Sequence, residues 1–176
     1  IWGLEVVLVL FAWVVLFGIS HCFRITAHLG VDALVNTLSP DWRRIAAIIS
    51  AACCVAYAAL LMKGAWDYYA PFAGLDATTG RWFPTGFAES RDQAWYETDQ
   101  IPMLDFLRWL EPLVNEGESY EKLPLLVIYL ILPIGALLLL VRVIEAAIGV
   151  LTGHRDSLIV SHELEDDLDA GTLHKD

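Results

Sequence analysis

Two histidines and a carboxylate follow directly on a long apolar run, and they are the side chains of this protein most suited to chemistry. On one continuous helix, His21, His28 and Asp32 would lie near the same face. Imidazole and carboxylate groups bind metals, but no fourth ligand follows at a suitable spacing and Gly30 interrupts the segment, so it cannot supply a closed zinc site. A haem between helices needs axial ligands on facing helices, and the other apolar runs contain no histidine. We therefore expect no metal, no cofactor and no catalytic residue.

A simpler interpretation is that these polar groups mark the end of a membrane span. Arg24 follows the apolar run and can extend its guanidinium to the lipid headgroups. His28 and Asp32 would then fix the turn that follows. In this interpretation residues 18–35 form a boundary between hydrocarbon and water and carry out no reaction.

Glu5 is an ionisable group near the start of an apolar run, which makes a functional role the first hypothesis. One role is that of a ligand for a proton or a coupling ion. The other is pairing at the membrane interface or with a neighbouring helix, which we favour because Glu5 lies only one turn into the run. The sequence alone leaves both open.

Several residues inside the apolar runs predict helix contacts. Trp13 lies in the middle of the first run, away from the interfaces where tryptophan is enriched, so its indole N–H needs a partner on another helix. Pro133 with Gly135 predicts a kink in the last run, because proline removes one backbone hydrogen bond. Arg142 and Glu145 are three residues apart and are expected to pair.

Three apolar runs define the fold class. The chain has 176 residues and is 57% hydrophobic, more than the roughly 45–50% of an average soluble domain. Residues 1–23, 45–66 and 123–152 are each long enough to cross the roughly 30 Å of a bilayer's hydrocarbon core. We predict an all-α integral membrane protein, a transmembrane helix bundle with three spans in this chain.

The positive charges predict how the spans are oriented. Arg43 and Arg44 stand with Arg24 in the short connection 24–44, which the positive-inside rule places in the cytoplasm. Residues 67–122 would then be periplasmic, and the acidic tail 153–176, which has few apolar residues and is expected to be disordered, would be cytoplasmic. A further span before Ile1 would place the amino terminus in the cytoplasm as well, and we expect one.

The acidic balance of the chain excludes one class of partner. Its net charge is −11, and a nucleic-acid backbone requires a basic surface. Membrane lipids are the expected environment of the three runs. The segment 67–122 is too long to be a simple connection, and its apolar residues at near-helical spacing predict a short amphipathic helix near 101–113. That helix would lie on the membrane or a partner, or pack on its own chain.

The order of these residues resembles a known family. The sequence is similar to the small membrane subunit, of the DctQ type, of a tripartite ATP-independent periplasmic (TRAP) transporter. The resemblance covers residues 1–66 and 123–152. In the last run, a proline, a glycine, an aliphatic stretch and an arginine follow one another as in the family's last span. The positions that carry the resemblance are Trp2, Glu5, Trp13, Gly18, Arg24, His28, Val31, Asp32, Leu38, Pro40, Arg43, Arg44, Pro133, Gly135 and Arg142.

The resemblance implies a secondary transport complex in the bacterial inner membrane. A periplasmic binding protein would capture an organic anion such as a C4-dicarboxylate, and a large membrane subunit would move it with the sodium gradient. The small subunit would be the companion of the large one, without a substrate site of its own. Family members usually have four spans, and the segment 67–122 is longer than usual, so a lineage-specific contact surface there is expected.

Two other functions compete with this one. The chain could anchor a redox complex in the membrane, in which case a haem band would be lost when His21 and His28 are replaced. It could also be a stand-alone assembly factor or receptor anchor whose periplasmic segment is the working part. This last alternative predicts that deleting residues 72–100 destroys function while the spans tolerate exchange.

Overall fold

This computed structural model describes residues 2–24, 38–78, 81–83 and 93–152, with the main chain alone for residues 23 and 24. The helices and strands are α1 (Trp2–Arg24), α2 (Pro40–Tyr69), β1 (Glu97–Pro102), α3 (Glu111–Val114), β2 (Lys122–Pro124), α4 (Leu125–Tyr129) and α5 (Ile131–Leu151), with 3-10 helices at Ala70–Ala73 and Asp105–Leu110. His28, Asp32 and the tail 153–176 lie outside the described residues.

Three helices in the described part of the chain are long and apolar enough to cross a membrane. They are Trp2–Cys22, Pro40–Ala73 and Leu125–Leu151, which correspond to the three predicted runs. The second helix begins five residues before the predicted span. Its start fits the preference for proline in the first helical turn, and the Ser39 carbonyl accepts the first helical hydrogen bond, from Arg43 N at 2.9 Å.

The contacts divide the chain into two units. The first, which we call the hairpin unit, comprises residues 1–18 and 59–138, and the second, the alanine unit, comprises residues 19–58 and 139–176. Each unit contains part of α2 and part of the last span. Each unit has a core of its own.

The hairpin unit has an aromatic core where the end of α2 meets the start of the last span. Tyr69, Phe72 and Leu126 are buried there. The ring of Tyr129 packs edge-on against Phe72 with 4.8 Å between ring centroids, a favourable arrangement for two aromatic side chains. Gly74 ends the intervening 3-10 helix with φ 65°, a conformation that glycine adopts without steric cost.

A two-stranded antiparallel sheet adds to the helices of the hairpin unit. β1 pairs with β2, with Glu97 opposite Pro124 and Pro102 opposite Lys122, and the register shifts between these pairs. The fold is mostly helical, as predicted for an integral membrane helix bundle, and the hairpin was not foreseen.

The short helix predicted near 101–113 begins later than its apolar pattern does. Ile101 and Pro102 belong to β1, and helical structure starts at Asp105 as a 3-10 helix that continues into α3. Ile101 and Met103 are buried alternately, as in a strand, and Met103 N donates to Glu121 O at 3.3 Å. Pairing with a distant strand therefore decided a stretch whose apolar spacing also fits a helix.

Small residues form the core of the alanine unit. Ala51 on α2 packs in one cluster with Ala146, Ala147 and Val150 of α5. About two helical turns further along α2, Ala58 packs with Leu139 and Val143 in a second cluster. Small side chains let two helix backbones approach closely, which is a common way to join helices in lipid.

The last span is interrupted where the sequence predicts a kink. α4 ends at Tyr129 and α5 begins at Ile131, with Leu130 in a turn between them. Pro133 has no N–H to donate to the carbonyl of Tyr129, four residues earlier. The interruption therefore lies within one turn of the proline.

Candidate functional site

Glu5 lies in the first turn of α1 and contacts the hairpin. Its carboxylate oxygens accept hydrogen bonds from the backbone N–H groups of Asp99 at 3.2 Å and of Gln100 at 2.9 Å. A negative charge in the first turn is also favourable to the helix dipole. The partner of Glu5 is thus the backbone of a strand, whereas the sequence pointed to a neighbouring helix or the interface.

The hairpin is itself held by a carboxylate that binds backbone. Glu97 on β1 accepts hydrogen bonds from the N–H groups of Glu121 at 3.1 Å and of Lys122 at 3.2 Å. The Lys122 ammonium donates to the carbonyl of Asp99. These contacts fix the strand whose N–H groups point at Glu5, and sequence analysis did not find them because the two segments are far apart in the chain.

Trp13 forms the second contact of α1 with the rest of the hairpin unit. Its indole N–H donates to the backbone carbonyl of Ile128 on α4 at 3.2 Å. The ring also lies edge-on to Phe17, with 6.4 Å between centroids. The predicted need for a partner on another helix is met by a main-chain carbonyl.

Gly135 forms the third contact of α1. A Cβ atom at this position would lie 3.1 Å from Cβ of Leu16, which is closer than ordinary van der Waals contact. The absence of a side chain lets α5 pass close to α1 here. Together with Glu5 and Trp13, this contact holds one stripe of α1 against its own chain.

The opposite side of α1 is uncovered. None of the described side chains of α1 is buried, and its exposed residues include Val7, Phe11 and Val14. Gly18 continues this row at helical spacing, and a Cβ atom there would meet no atom of the described residues within 4 Å. The glycine is therefore not explained by packing within the chain's described part.

A polar cluster at the end of α2 escaped sequence analysis. Lys63 Nζ lies 2.7 Å from Asp67 Oδ2 and donates to Thr78 Oγ1 at 2.7 Å. The backbone N–H of Thr78 donates to Asp67 Oδ1 at 2.7 Å. The spacing of Lys63 and Asp67 could have indicated the ion pair, but the sequence gives no sign of the buried Thr78.

Charged residues of the 3-10 helix Asp105–Leu110 and of the start of α3 form ion pairs with one another. Arg108 contacts Asp105 and Glu111, each at 3.1 Å. The hydrogen bond to Asp105 and the neighbouring charge of Glu111 raise the pKa of the Arg108 guanidinium. This side of the segment is therefore polar.

The remaining predicted positions lie at the other ends of the spans. Arg142 and Glu145 pair at 2.6 Å, as expected from their spacing. Arg24 lies at the end of α1, and His21 is exposed before it. No group of three His, Cys, Asp or Glu side chains in the described ranges could hold a metal ion. The set His21, His28 and Asp32, which the sequence argues against as a metal site, includes two residues outside those ranges.

Comparison with known proteins decides the family. The family profile described as "Tripartite ATP-independent periplasmic transporters, DctQ component" matches residues 1–89, half of the chain. The chain belongs to the DctQ family. It is a multi-pass membrane protein of the bacterial inner membrane, and its curated relatives are named as permease subunits, which is not an enzymatic role.

Three curated relatives carry the name "C4-dicarboxylate TRAP transporter small permease protein DctQ". The relative from Vibrio cholerae is 41% identical over 170 residues, which are 97% of this chain and 66% of that protein. The relative from Pseudomonas aeruginosa is 36% identical over 67 residues, 38% of this chain and 32% of that protein. The relative from Rhodobacter capsulatus is 26% identical over 149 residues, which are 85% of this chain and 48% of that protein.

This DctQ-family chain therefore spans at most 66% of the length of these relatives. No solved structure matches it. The match with the Vibrio cholerae protein extends over 170 residues and so includes most of the long segment between α2 and the last span. That segment is thus shared with at least one relative.

Proposed function

We propose that this chain is the small permease subunit of a TRAP transporter, which scaffolds a large membrane subunit during sodium-coupled, binding-protein-dependent uptake of dicarboxylates. The proposal combines the family with the uncovered side of α1, which is the observation that carries it. The relatives are named as small permease proteins of C4-dicarboxylate TRAP transporters, and that substrate is proposed here by likeness.

The scaffold surface is proposed to be the row Val7, Phe11, Val14 and Gly18. These residues lie on one side of α1, opposite the stripe of Glu5, Trp13 and Leu16 that contacts the chain's own hairpin unit. A helix that uses one stripe within its own subunit has the other available for a partner. Gly18 would allow close approach of a second helix backbone, as small residues do in membrane interfaces.

Glu5 has a supporting role in this proposal. Its carboxylate binds two backbone N–H groups of β1, so both oxygens already have partners. This use of the side chain favours a positioning role over that of a coupling-ion ligand. A Glu5→Gln variant is expected to retain sodium-dependent uptake, and loss of uptake with an intact complex would indicate the ion-ligand role.

Co-purification tests the scaffold role. Tagged chain and large subunit are co-expressed, extracted in mild detergent and captured through the small subunit. Gly18→Leu is expected to reduce the amount of large subunit retained, because the added side chain separates the two surfaces. Gly64→Leu on α2 is the matched control, since a Cβ atom there also meets no described atom within 4 Å. Equal retention in both variants would contradict the proposed surface.

The orientation is proposed from the positive charges. Arg24, Arg43 and Arg44 would lie on the cytoplasmic side, so the carboxyl terminus would be cytoplasmic and the hairpin periplasmic. Single-cysteine variants at Asp99 and Thr152, made without the native cysteines, test this with a membrane-impermeant thiol reagent in intact cells. Labelling at residue 99 alone is expected, and labelling at residue 152 alone would reverse the orientation.

A further inference from the structure

The 3-10 helix Asp105–Leu110 has three distinct sides because its residues repeat every three positions. One side carries Asp105 and Arg108, which pair with each other. A second side carries Leu107 and the buried Leu110 and faces the protein. The third carries Phe106 and Trp109 and points away from the protein.

The third side carries exposed apolar residues, and further exposed apolar residues precede and follow it in the chain. Phe106 is 72% exposed and Trp109 60%, and Leu113 in the following α3 is 71% exposed. Leu104, just before the 3-10 helix, is also exposed. We call Leu104, Phe106, Trp109 and Leu113 the apolar patch. Exposed large apolar residues gathered in this way mark a contact surface.

The position of the apolar patch along α1 is fixed by Glu5. Its carboxylate binds the N–H groups of Asp99 and Gln100, so β1 lies beside the first turn of the helix. The first turn of a span lies at the boundary between headgroups and hydrocarbon. The apolar patch follows β1 by a few residues and therefore lies near that boundary.

A cavity joins the apolar patch to α1. It has a volume of about 300 Å³ and is lined only by apolar residues and one tryptophan, among them Trp2, Val6 and Leu10 of α1, Ile101 and Pro102 of β1, and Leu104. Residues 2 to 10 of a helix cover about 12 Å along its axis, so the cavity extends from the boundary into the hydrocarbon layer. No charged side chain lines it.

We propose that the apolar patch lies in the headgroup layer of the leaflet at the start of α1, and that the cavity holds part of a phospholipid acyl chain. Tryptophan and phenylalanine are suited to this depth, since they present an apolar ring at the interface. The paired charges of Asp105 and Arg108, on a different side of the same helix, would face water. The cavity runs along the first turns of a membrane-spanning helix and is lined by apolar residues, which favours an acyl chain over a soluble partner.

Fluorescence quenching by brominated phospholipids tests this on the full chain in nanodiscs. The emission lost in Trp109→Phe is attributed to Trp109, and the emission lost in Trp2→Phe to Trp2. Both components are expected to lose most of their intensity when ordinary phospholipid is replaced by lipid brominated high in the acyl chain, with a smaller loss for bromine near the chain end. Unchanged emission of Trp109 would overturn the proposal.

The charged side of the same helix supplies the matched control. In a Trp109→Phe background, Asp105→Trp is expected to show much weaker quenching than Trp109, because it faces water. Equal quenching of the two would show that the segment is immersed without the proposed orientation, which contradicts the proposal.

A repeat with the large subunit bound separates lipid from protein as the cover. Quenching of Trp109 that persists in the complex supports the lipid contact. Quenching that disappears on binding would identify the apolar patch as a protein interface and overturn the proposal. Failure of the two subunits to bind at all would contradict the proposed function and leave the result in nanodiscs valid by itself.

Discussion

The hairpin unit and the alanine unit are stabilised in different ways. In the hairpin unit, side chains such as Glu5, Glu97 and Trp13 bind backbone groups of distant segments. In the alanine unit, Ala51 packs directly on Ala146 and Ala147. The difference is that small side chains alone join α2 and α5 in the alanine unit, whereas directed hydrogen bonds hold the irregular backbone of the hairpin unit.

The two mechanisms predict opposite sensitivities. The alanine unit should tolerate apolar substitutions at its exposed positions but no increase in size at its core. The hairpin unit should lose stability when a bound carboxylate or indole is removed, because a backbone group is then left without its partner. Four substitutions test this, in order of decreasing effect.

Ala147→Leu should have the largest effect. The added methyl groups have no space among Ala51, Ala146 and Val150, and overpacking of a core costs about 1–3 kcal/mol. The free energy of unfolding in mixed micelles measures it. Ala52→Leu, at an exposed position of α2, should change that free energy little. A similar loss in both variants would show that packing density does not hold this unit.

Glu5→Ala should have the second-largest effect. It removes the acceptor of two backbone N–H groups, and hydrogen bonds to a charged group that is partly exposed are together worth about 1–2 kcal/mol. Glu5→Gln keeps one side-chain oxygen and should lose about half as much. The same unfolding measurement checks both variants. An equal loss of stability in Glu5→Ala and Glu5→Gln would contradict a hydrogen-bonding role.

Trp13→Phe should cost less, because the ring remains and one hydrogen bond to Ile128 is lost. The expected decrease in the free energy of unfolding is roughly 0.5–1.5 kcal/mol. Trp42→Phe at an exposed position is the control. A decrease in the control as large as that in Trp13→Phe would mean that the indole N–H contributes nothing specific.

Arg142→Gln should have the smallest effect. The pair with Glu145 is exposed and spans three residues of one helix, and such pairs contribute about 0.5 kcal/mol or less. At high salt, the free energy of unfolding of the Arg142→Gln variant should equal that of the unmodified chain within error. A loss above that of Trp13→Phe would show that charge pairing, too, stabilises the alanine unit.

The helices of this protein were predictable because their signal is local. An apolar run of sufficient length decides a span by itself, and α1, α2 and the last span follow the predicted runs. Pro133 marks the interruption of the last span from its covalent structure alone. The pair of Arg142 with Glu145 follows from helical spacing.

The region between α2 and the last span was predictable only in part. The apolar residues of 101–113 repeat at intervals that suit an α-helix, a 3-10 helix and a strand end, so periodicity cannot choose among them. Pairing of β1 with β2 made the choice. Thr78 joined Lys63 and Asp67 for the same reason: its contacts depend on how the chain turns back.

By itself, the sequence determined the three apolar helices and the family. The length of an apolar run and the order of a few polar residues are features of the linear sequence and need no tertiary contact. Only the tertiary structure decided the partner of Glu5, which lies 94 and 95 residues away in Asp99 and Gln100, and that of Trp13, which lies 115 residues away. A hydrogen bond between such distant groups depends on their approach in space, and no periodicity in the sequence records that approach.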